Sequence, residues 1–204
     1  MLKRRMKRFL ATSCSALALV CAAHSVVLYS SFGPGDTFQP LWGWTACGSL
    51  TSLGAIVTGF QFVSAASGDV GRIDVALSHS TGSYGFSLDL YDDASNLPNN
   101  LLGTWTGTAV IELGTWPGFA SINVPAGTPL AAGGTYWLIA RADPTSDLAW
   151  NPNSIGLTGI LKQNANYFPN SDVGAFRLET VPEPASVALL GIGLGALLAR
   201  RRKG

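Results

Sequence analysis

The sequence is short of ionisable side chains away from its two ends, and this shortage restricts the chemistry available to it. Charged residues make up 12% of the chain, and histidine occurs only as His24 and His79. Between Val26 and Val181, four basic residues stand against eleven acidic ones, which leaves this body with a formal charge of −7. Because an acidic surface repels phosphate backbones, no nucleic-acid partner is expected. The sequence also lacks a Cys/His metal cluster, a phosphate-binding loop and a dinucleotide fingerprint.

The first 25 residues have the composition of a secretory signal peptide. An apolar run from Phe9 to Ala23 is followed by Ser25, and a basic cluster precedes it: Lys3, Arg4, Arg5, Lys7 and Arg8. This order predicts export by the general secretion machinery, with cleavage by signal peptidase after Ala23 or Ser25. A cytosolic amphipathic helix would need a polar face, which the apolar run lacks.

Two other export routes remain as minor alternatives. A lipoprotein anchor would use Cys14 or Cys21, but Cys14 lies inside the apolar run and Val20 is a poor residue before a modified cysteine. The pair Arg4-Arg5 matches a twin-arginine start, but further basic residues follow where that leader would turn apolar. Cleavage would leave Cys47 as the only cysteine, so the mature body would fold without an internal disulfide.

The C-terminal 24 residues divide into three parts that together indicate a sorting segment. An apolar stretch from Ala185 to Ala199 lies between a motif, Val181, Pro182, Glu183, Pro184, Ala185 and Ser186, and a basic stop cluster, Arg200, Arg201, Arg202 and Lys203. The prolines keep the chain extended and open to an enzyme. The apolar stretch predicts a single transmembrane helix about 22 Å long, with the basic cluster on the cytoplasmic side.

This tail resembles the PEP-CTERM sorting domain of Gram-negative bacteria that make exopolysaccharide. The resemblance rests on the complete motif from Val181 to Ser186 followed by the apolar and basic parts. It implies transient residence in the inner membrane, recognition and cleavage by an exosortase, and release or transfer to the cell surface or extracellular matrix. A membrane anchor that is never cut is the alternative.

The body between these ends is predicted to be all-β. Ile73, Val75 and Leu77 alternate with Arg72, Asp74 and Ala76, which predicts one buried and one solvent-facing side, and Phe86, Leu88 and Leu90 repeat the pattern. Turns are expected at 82–83, 97–100, 125–127 and 132–134, where Gly, Pro or Asn occur. Further strands are predicted at 26–32, 55–63, 102–106, 108–113, 120–124, 135–141, 148–151 and 176–181.

Many short strands separated by turns predict an antiparallel β-sandwich, jelly-roll-like in its layering. The expected organisation is a signal peptide over residues 1–25, the sandwich over 26–180 and the sorting segment over 181–204. The body resembles the choice-of-anchor R family through FSLDLYDDASNLPNNLLGTW, PLAAGGTYWLIAR, LAWNPNSIGLTG and the opening YSSFGPGD. Asn99 stands where that family usually has glycine. The resemblance implies an extracellular domain ahead of a sorting tail and assigns no activity.

Three groups of residues are candidates for chemistry. His79 has no suitably spaced nucleophile and is expected to be a surface residue at a strand end, so no catalytic residue is proposed. Oxygen ligands for calcium are offered by Asp89, Asp92, Asp93 and Asn96, and no other cofactor is expected. A polar turn is the alternative for these residues. Trp42, Trp44 and Trp116 lie in Gly- and Pro-rich loops and are candidate sugar-stacking residues. Packing over the end of the sandwich is the alternative for them, and Trp137 is expected in the core.

Two functions fit these observations. The first is a non-enzymatic structural or interaction protein, sorted to the cell surface or matrix, with exopolysaccharide as its partner. The second is a carbohydrate-binding or adhesin module that uses the loop tryptophans, assisted by calcium. An extracellular hydrolase is a third and more remote option.

Overall fold

The computed structural model describes residues 25–109, 111–115, 118–125 and 127–181, which contain strands, turns and loops. Val26–Val181 forms one compact unit. Within this described part, no helix has the length and apolar character needed to cross a membrane. The predicted signal peptide, apart from Ser25, and the sorting segment after Val181 lie outside the described residues.

Fifteen strands make up the described body. They are β1 Val27–Ser30, β2 Trp44–Cys47, β3 Thr58–Val63, β4 Gly68–Val75, β5 Leu77–Thr81, β6 Gly85–Ala94, β7 Leu97–Thr108, β8 Ile111–Glu112, β9 Ala120–Asn123, β10 Pro129–Leu130, β11 Thr135–Ala142, β12 Asp147–Trp150, β13 Thr158–Gln163, β14 Asn166–Asp172 and β15 Phe176–Thr180.

The strands form three sheets. A five-stranded sheet has the order β1-β15-β4-β10, with β9 also paired to β4. A six-stranded sheet runs β14-β13-β3-β11-β6-β7, and a four-stranded sheet runs β2-β12-β5-β8. Among these described strands, the pairings are antiparallel except for that of β5 with β8, which is parallel.

One core joins the three sheets. Ring contacts cross from sheet to sheet, since Phe62 of β3 lies 4.9 Å from Tyr29 of β1 and 5.5 Å from Phe176 of β15, centroid to centroid. Trp150 of β12 contacts Phe60 of β3 at 5.0 Å. The predicted all-β, antiparallel fold is confirmed and the sheets pack as layers; the jelly-roll strand order stays a prediction.

The predicted strand through Arg72 and Leu77 is in fact two strands in different sheets. β4 ends at Val75, and the chain enters the four-stranded sheet at Leu77. Ala76 is the junction: its N–H donates to Ala175 and its carbonyl accepts from Asn151. Asp74 and Ala76 are both fully buried, so the predicted solvent-facing side is wrong at these two positions, whereas the Arg72 side chain is 41% exposed. Asp74 is buried beneath Arg177, and Ala76 is part of a small apolar cluster.

The buried Asp74 is held by cations from its own strand and from β15. Arg177 donates to it through Nη2 at 2.6 Å, Arg72 through Nε at 2.7 Å, and the Ser121 hydroxyl donates at 2.6 Å. Arg177 also bonds Asp36 at 2.7 Å. Its guanidinium lies 5.8 Å from the ring centroids of both Phe32 and Phe119, and these rings therefore help to close the site from solvent.

The turn expected at residues 97–100 lies earlier in the chain. Ser95 and Asn96 have φ angles of 56° and 64°, the two positive values of a type I′ hairpin turn. Pro98 is then part of β7, opposite Asp93. A proline is tolerated there because β7 is an edge strand, which needs no donor on its open side.

The hairpin of β13 and β14 was not among the predicted strands. β14 is exposed along most of its length. Its sequence therefore lacks the alternation of buried apolar and exposed polar residues from which a strand is predicted. Its partner β13 buries Leu161 and pairs with β3. The connecting turn uses Asn164 at a φ of 52°, a conformation that asparagine tolerates better than most residues.

We predict that Asp74→Asn lowers the free energy of unfolding by about 2 kcal/mol, because a buried carboxylate that accepts from Arg177, Arg72 and Ser121 is replaced by an amide whose nitrogen cannot accept. Urea unfolding followed by tryptophan fluorescence measures this change. The matched control is Asp69→Asn, on the same strand but exposed, for which we expect a change within about 0.5 kcal/mol. Equal effects of the two substitutions would show that the buried cluster adds no particular stability.

Candidate functional site

The loop tryptophans occupy different environments. Trp42 is 40% exposed and its indole N–H donates to Gln39 Oε1 at 3.1 Å. Trp44 begins β2, is partly buried, and donates to the Asp172 carbonyl at 2.8 Å. The two rings meet edge to face, 5.6 Å apart. Trp42 therefore presents a ring to solvent while Trp44 supports it. Trp116 lies outside the described residues.

Trp137 is fully buried, as expected, but it lies on the outer side of the six-stranded sheet. Tyr136 and Leu138 point into the main core on either side of it, and alternation turns Trp137 the other way. Tyr167 covers it at 5.7 Å, and its indole N–H donates to Asp93 at 2.7 Å. The outer face of the six-stranded sheet therefore contains a buried tryptophan ring that Tyr167 covers.

The candidate calcium residues each bond to donors of the protein. Asp89 accepts from Thr104 and Arg141, and Asp93 accepts from Gln61, Trp137 and the Asn96 N–H. Asp92 accepts from the Asn100 backbone and side chain. In the part of the chain that the structure describes, no three acidic, His or Cys side chains are grouped to hold a metal. The three carboxylates are thus not brought together, and Asn96 lies in the hairpin turn.

The hydrogen bonds from Asn100 lower the pKa of Asp92 below its ordinary value. This carboxylate therefore stays ionised through the neutral range. Its two oxygens fix the start of β7 against the end of β6, which is a structural task.

His79 is mostly buried, contrary to the expected surface position, because β8 packs beside it. Its Nδ1 lies 2.8 Å from Glu112 Oε2 and its Nε2 lies 3.0 Å from the Gly82 carbonyl. Its ring stacks on Tyr84 at 3.8 Å, and the Tyr84 hydroxyl donates to Glu112. Both partners of the imidazole are acceptors, so the arrangement fits the imidazolium, which has two N–H donors.

The pKa of His79 reflects opposing causes. Burial alone lowers it, but the bonds to Glu112 and to the Gly82 carbonyl outweigh burial and raise the pKa above 6.5. The same contacts from Tyr84 and His79 lower the pKa of Glu112. This cluster holds β8 against β5 and leaves no free imidazole nitrogen to act as a general base.

Cys47 is an inert thiol. It is buried and donates to Asp147 Oδ1 at 2.9 Å. Burial, together with the bond and negative charge of Asp147, raises its pKa to about 12. Since the thiolate is the reactive form, Cys47 is unsuited to nucleophilic chemistry near neutral pH.

A cleft of about 220 Å³ lies beside Cys47, at the end of β11. It is lined by Cys47, Gly48, Ser49, Ala55, Val57, Arg141, Ala142 and Pro144. Arg141, which lines this cleft, and Lys162 and Tyr167 on β13 and β14 were not predicted as site residues from the sequence. No local pattern marks them, since they come from three strands that only the pairing register brings together.

We predict that the protein loses stability as pH rises from 6.5, because the raised pKa of His79 gives a contribution that is complete below 6.5 and disappears through the folded pKa above it. Urea unfolding at several pH values, kept below the range near 9.0 in which Cys47 ionises in the unfolded chain, measures the slope. His79→Gln should flatten it. The control Tyr84→Phe keeps the bond from His79 to Glu112 and should retain the wild-type dependence of stability on pH. An unchanged slope in His79→Gln would contradict the prediction.

Comparison with known proteins identifies the tail. Residues 180–203 match the family model described as the PEP-CTERM protein-sorting motif, which covers the predicted motif and basic cluster. A comparison of the chain with curated proteins found no match. The body is therefore not assigned by similarity, whereas the matched motif indicates an exported protein of the Gram-negative type that is targeted to an exosortase and sorted through the membrane.

Proposed function

We propose that the body is a non-enzymatic structural or interaction protein that associates with exopolysaccharide at the cell surface or in the extracellular matrix. The observation that carries this proposal is the sorting motif matched at residues 180–203. Exosortase cuts there, in this proposal, and the folded body leaves the inner membrane. The choice-of-anchor R resemblance agrees with it, since such a domain precedes one of several sorting tails.

The end of the folded body supports processing of a completed domain. β15 ends at Thr180, only two positions before Pro182. The Thr180 N–H donates to the Val26 carbonyl at 2.9 Å, and the Val26 N–H donates to the Thr180 hydroxyl at 2.8 Å. These bonds fix the last strand against the first. Cleavage near Glu183 would consequently leave every described strand intact.

The polar groups of the body favour an interaction role over catalysis. His79 has both ring nitrogens occupied, and the Cys47 thiol is held protonated. The carboxylates of Asp89 and Asp93 bond to several protein donors. Groups fixed in this way stabilise a scaffold, and a stable scaffold suits a protein that must persist outside the cell.

A second candidate is a carbohydrate-binding module that uses Trp42. The observation that favours it is the exposed indole ring supported edge to face by Trp44, since an exposed aromatic face is a surface on which apolar faces of ligands pack. The calcium assistance predicted for this candidate has no support from Asp89, Asp92 and Asp93, which are not grouped in the described residues.

We expect the wild-type protein from its native host to be shortened at the tail and to occur outside the inner membrane with the exopolysaccharide. A variant with Pro182, Glu183 and Pro184 all changed to alanine should stay uncut in the inner membrane, because the extended motif is lost. Intact mass and cell fractionation measure both. The control, Gly191→Ala with Gly195→Ala, keeps the motif and the apolar stretch and should be processed normally. An uncut wild-type protein in the inner membrane would contradict the proposal.

For the second candidate, we predict that Trp42→Ala abolishes binding on a glycan array, with Trp105→Ala as a control because Trp105 packs against the core. Arrays run with and without calcium show whether binding needs calcium or needs only the Trp42 ring. No binding by the wild-type protein in either condition would exclude this candidate.

A further inference from the structure

Two of the four cations of the body lie on the outer face of the six-stranded sheet. Across the strands, Ile139 pairs with Gly59, Gly59 with Lys162, and Lys162 with Tyr167. Residues directly opposite each other share a face, and Arg141, two positions after Ile139 on β11, lies on it too. Arg141 and Lys162 thus project on the same side from strands separated only by β3.

This placement differs from that of the other two cations. Arg72 and Arg177 both bond to the buried Asp74. Lys162 is the one cation of the described body with no carboxylate within 4.0 Å. Its Nζ lies 5.6 Å from the centre of the Tyr167 ring and donates to the Asn164 carbonyl. In a body with eleven acids, this cation has been left without an internal counter-ion.

The surroundings of Lys162 disfavour its charge. Burial, and then the positive charge of Arg141, lower the pKa of Lys162 below its ordinary value. Arg141 itself is held by Asp89, whose Oδ2 accepts from Nε at 2.5 Å, yet its side chain is 47% exposed. An anion placed between the two cations would remove their repulsion, and a group with unfavourable internal electrostatics in a concave surface is a candidate for ligand binding.

The cleft at the end of β11 connects these two cations. Arg141 lines it, and so does Val57. Val57 and Asn164 exchange two hydrogen bonds, from the Val57 N–H to Asn164 Oδ1 at 2.8 Å and from the Asn164 N–H to the Val57 carbonyl at 2.9 Å. The turn that receives the Lys162 ammonium is therefore bonded to one residue of the cleft wall, and Arg141 is another residue of that wall.

The shape of this surface suits one unit of a longer chain. The cleft, at about 220 Å³, is smaller than the roughly 300 to 1,000 Å³ of pockets that enclose a whole ligand. Beside it, the sheet face carries two exposed residues, Tyr167 with its ring and Thr104, whose hydroxyl bonds Asp89. A polymer would place one unit in the cleft and continue along the face.

We propose that this cleft and sheet face bind an acidic polysaccharide, with Lys162 and Arg141 contacting a sugar carboxylate and the Tyr167 ring packing against the sugar. The inference rests on the proposed function, because it names the class of exopolysaccharide that the exported body meets. It is independent of Trp42, which lies in the loop before β2. The site favours carboxylated over neutral sugars, since only a carboxylate gives Lys162 a counter-ion and offsets its repulsion from Arg141, which Asp89 already pairs.

The test is calorimetric binding of the full-length chain in detergent to oligogalacturonate and to the same oligosaccharide with its carboxyl groups methyl-esterified. Wild-type protein should bind the acidic form at least about tenfold more tightly, because hydrogen bonds to a charged group are stronger than neutral ones. Lys162→Gln and Arg141→Gln should each weaken binding by about tenfold or more. Lys162→Gln breaks no ion pair within the described body, so its effect is separable from misfolding.

The matched control is Arg72→Gln, which makes the same charge change on a strand of the five-stranded sheet. Because Arg72 bonds the buried Asp74, a urea unfolding curve first checks that this variant is folded, and the folded variant should bind as the wild type does. No binding of the acidic oligosaccharide, equal binding of the ester, or loss of binding only in Trp42→Ala would each overturn the proposal. Fractionation separates this result from the proposed function. If the protein is found in the matrix but does not bind oligogalacturonate, only the proposed binding site is overturned. If it binds oligogalacturonate but stays in the inner membrane, only matrix delivery is overturned.

Discussion

The buried ion pair between Asp74 and Arg177 is the constraint on which the arrangement of the body depends. A carboxylate without solvent contact is tolerated only where donors and opposite charge surround it. Asp74 meets this condition through β15, through its own strand and through β9, while Arg177 extends the cluster to Asp36 in the loop after β1. The last strand of the body is therefore fixed beside β4, at the point where β4 also binds β9, and the first strand pairs with the last.

A second, smaller apolar cluster lies on the side of the five-stranded sheet where Arg177 pairs with Asp74. Phe32, Phe38, Ala76, Ile111 and Ala175 form an apolar cluster apart from the main one. The aromatic rings there cover the guanidinium of Arg177, which reduces its contact with water and strengthens its pairing with Asp74. The pair of Asp74 and Arg177, with the apolar cluster over it, holds the loops to the sheet. No disulfide does so within the body, because its single cysteine is a free thiol.

Several features of the body could be predicted from sequence because they depend on neighbouring residues. Alternation located β6, whose Phe86, Leu88 and Leu90 enter the main core, and β3, β11 and β15 lie where further strands were predicted. Glycines correctly marked the reversals near Gly82 and Gly133, which have positive φ. Prediction was wrong at Asp74, where alternation could not show that Arg177 covers the outer side, and at residues 97–100, where Pro98 is accommodated by an edge strand. It missed β14, which has no buried face.

The sequence by itself determined the sorting motif of this protein at residues 180–203, and the leader pattern of its first 25 residues stays a prediction. Such motifs are linear, and the machinery that recognises them acts on an extended or membrane-inserted segment. Only the tertiary structure decided which polar groups meet. Asp74 and Arg177 are 103 positions apart, and the register of β11, β3 and β13 places Lys162 on the same sheet face as Arg141. Register follows from the packing of all the strands at once, so it has no local trace in the chain.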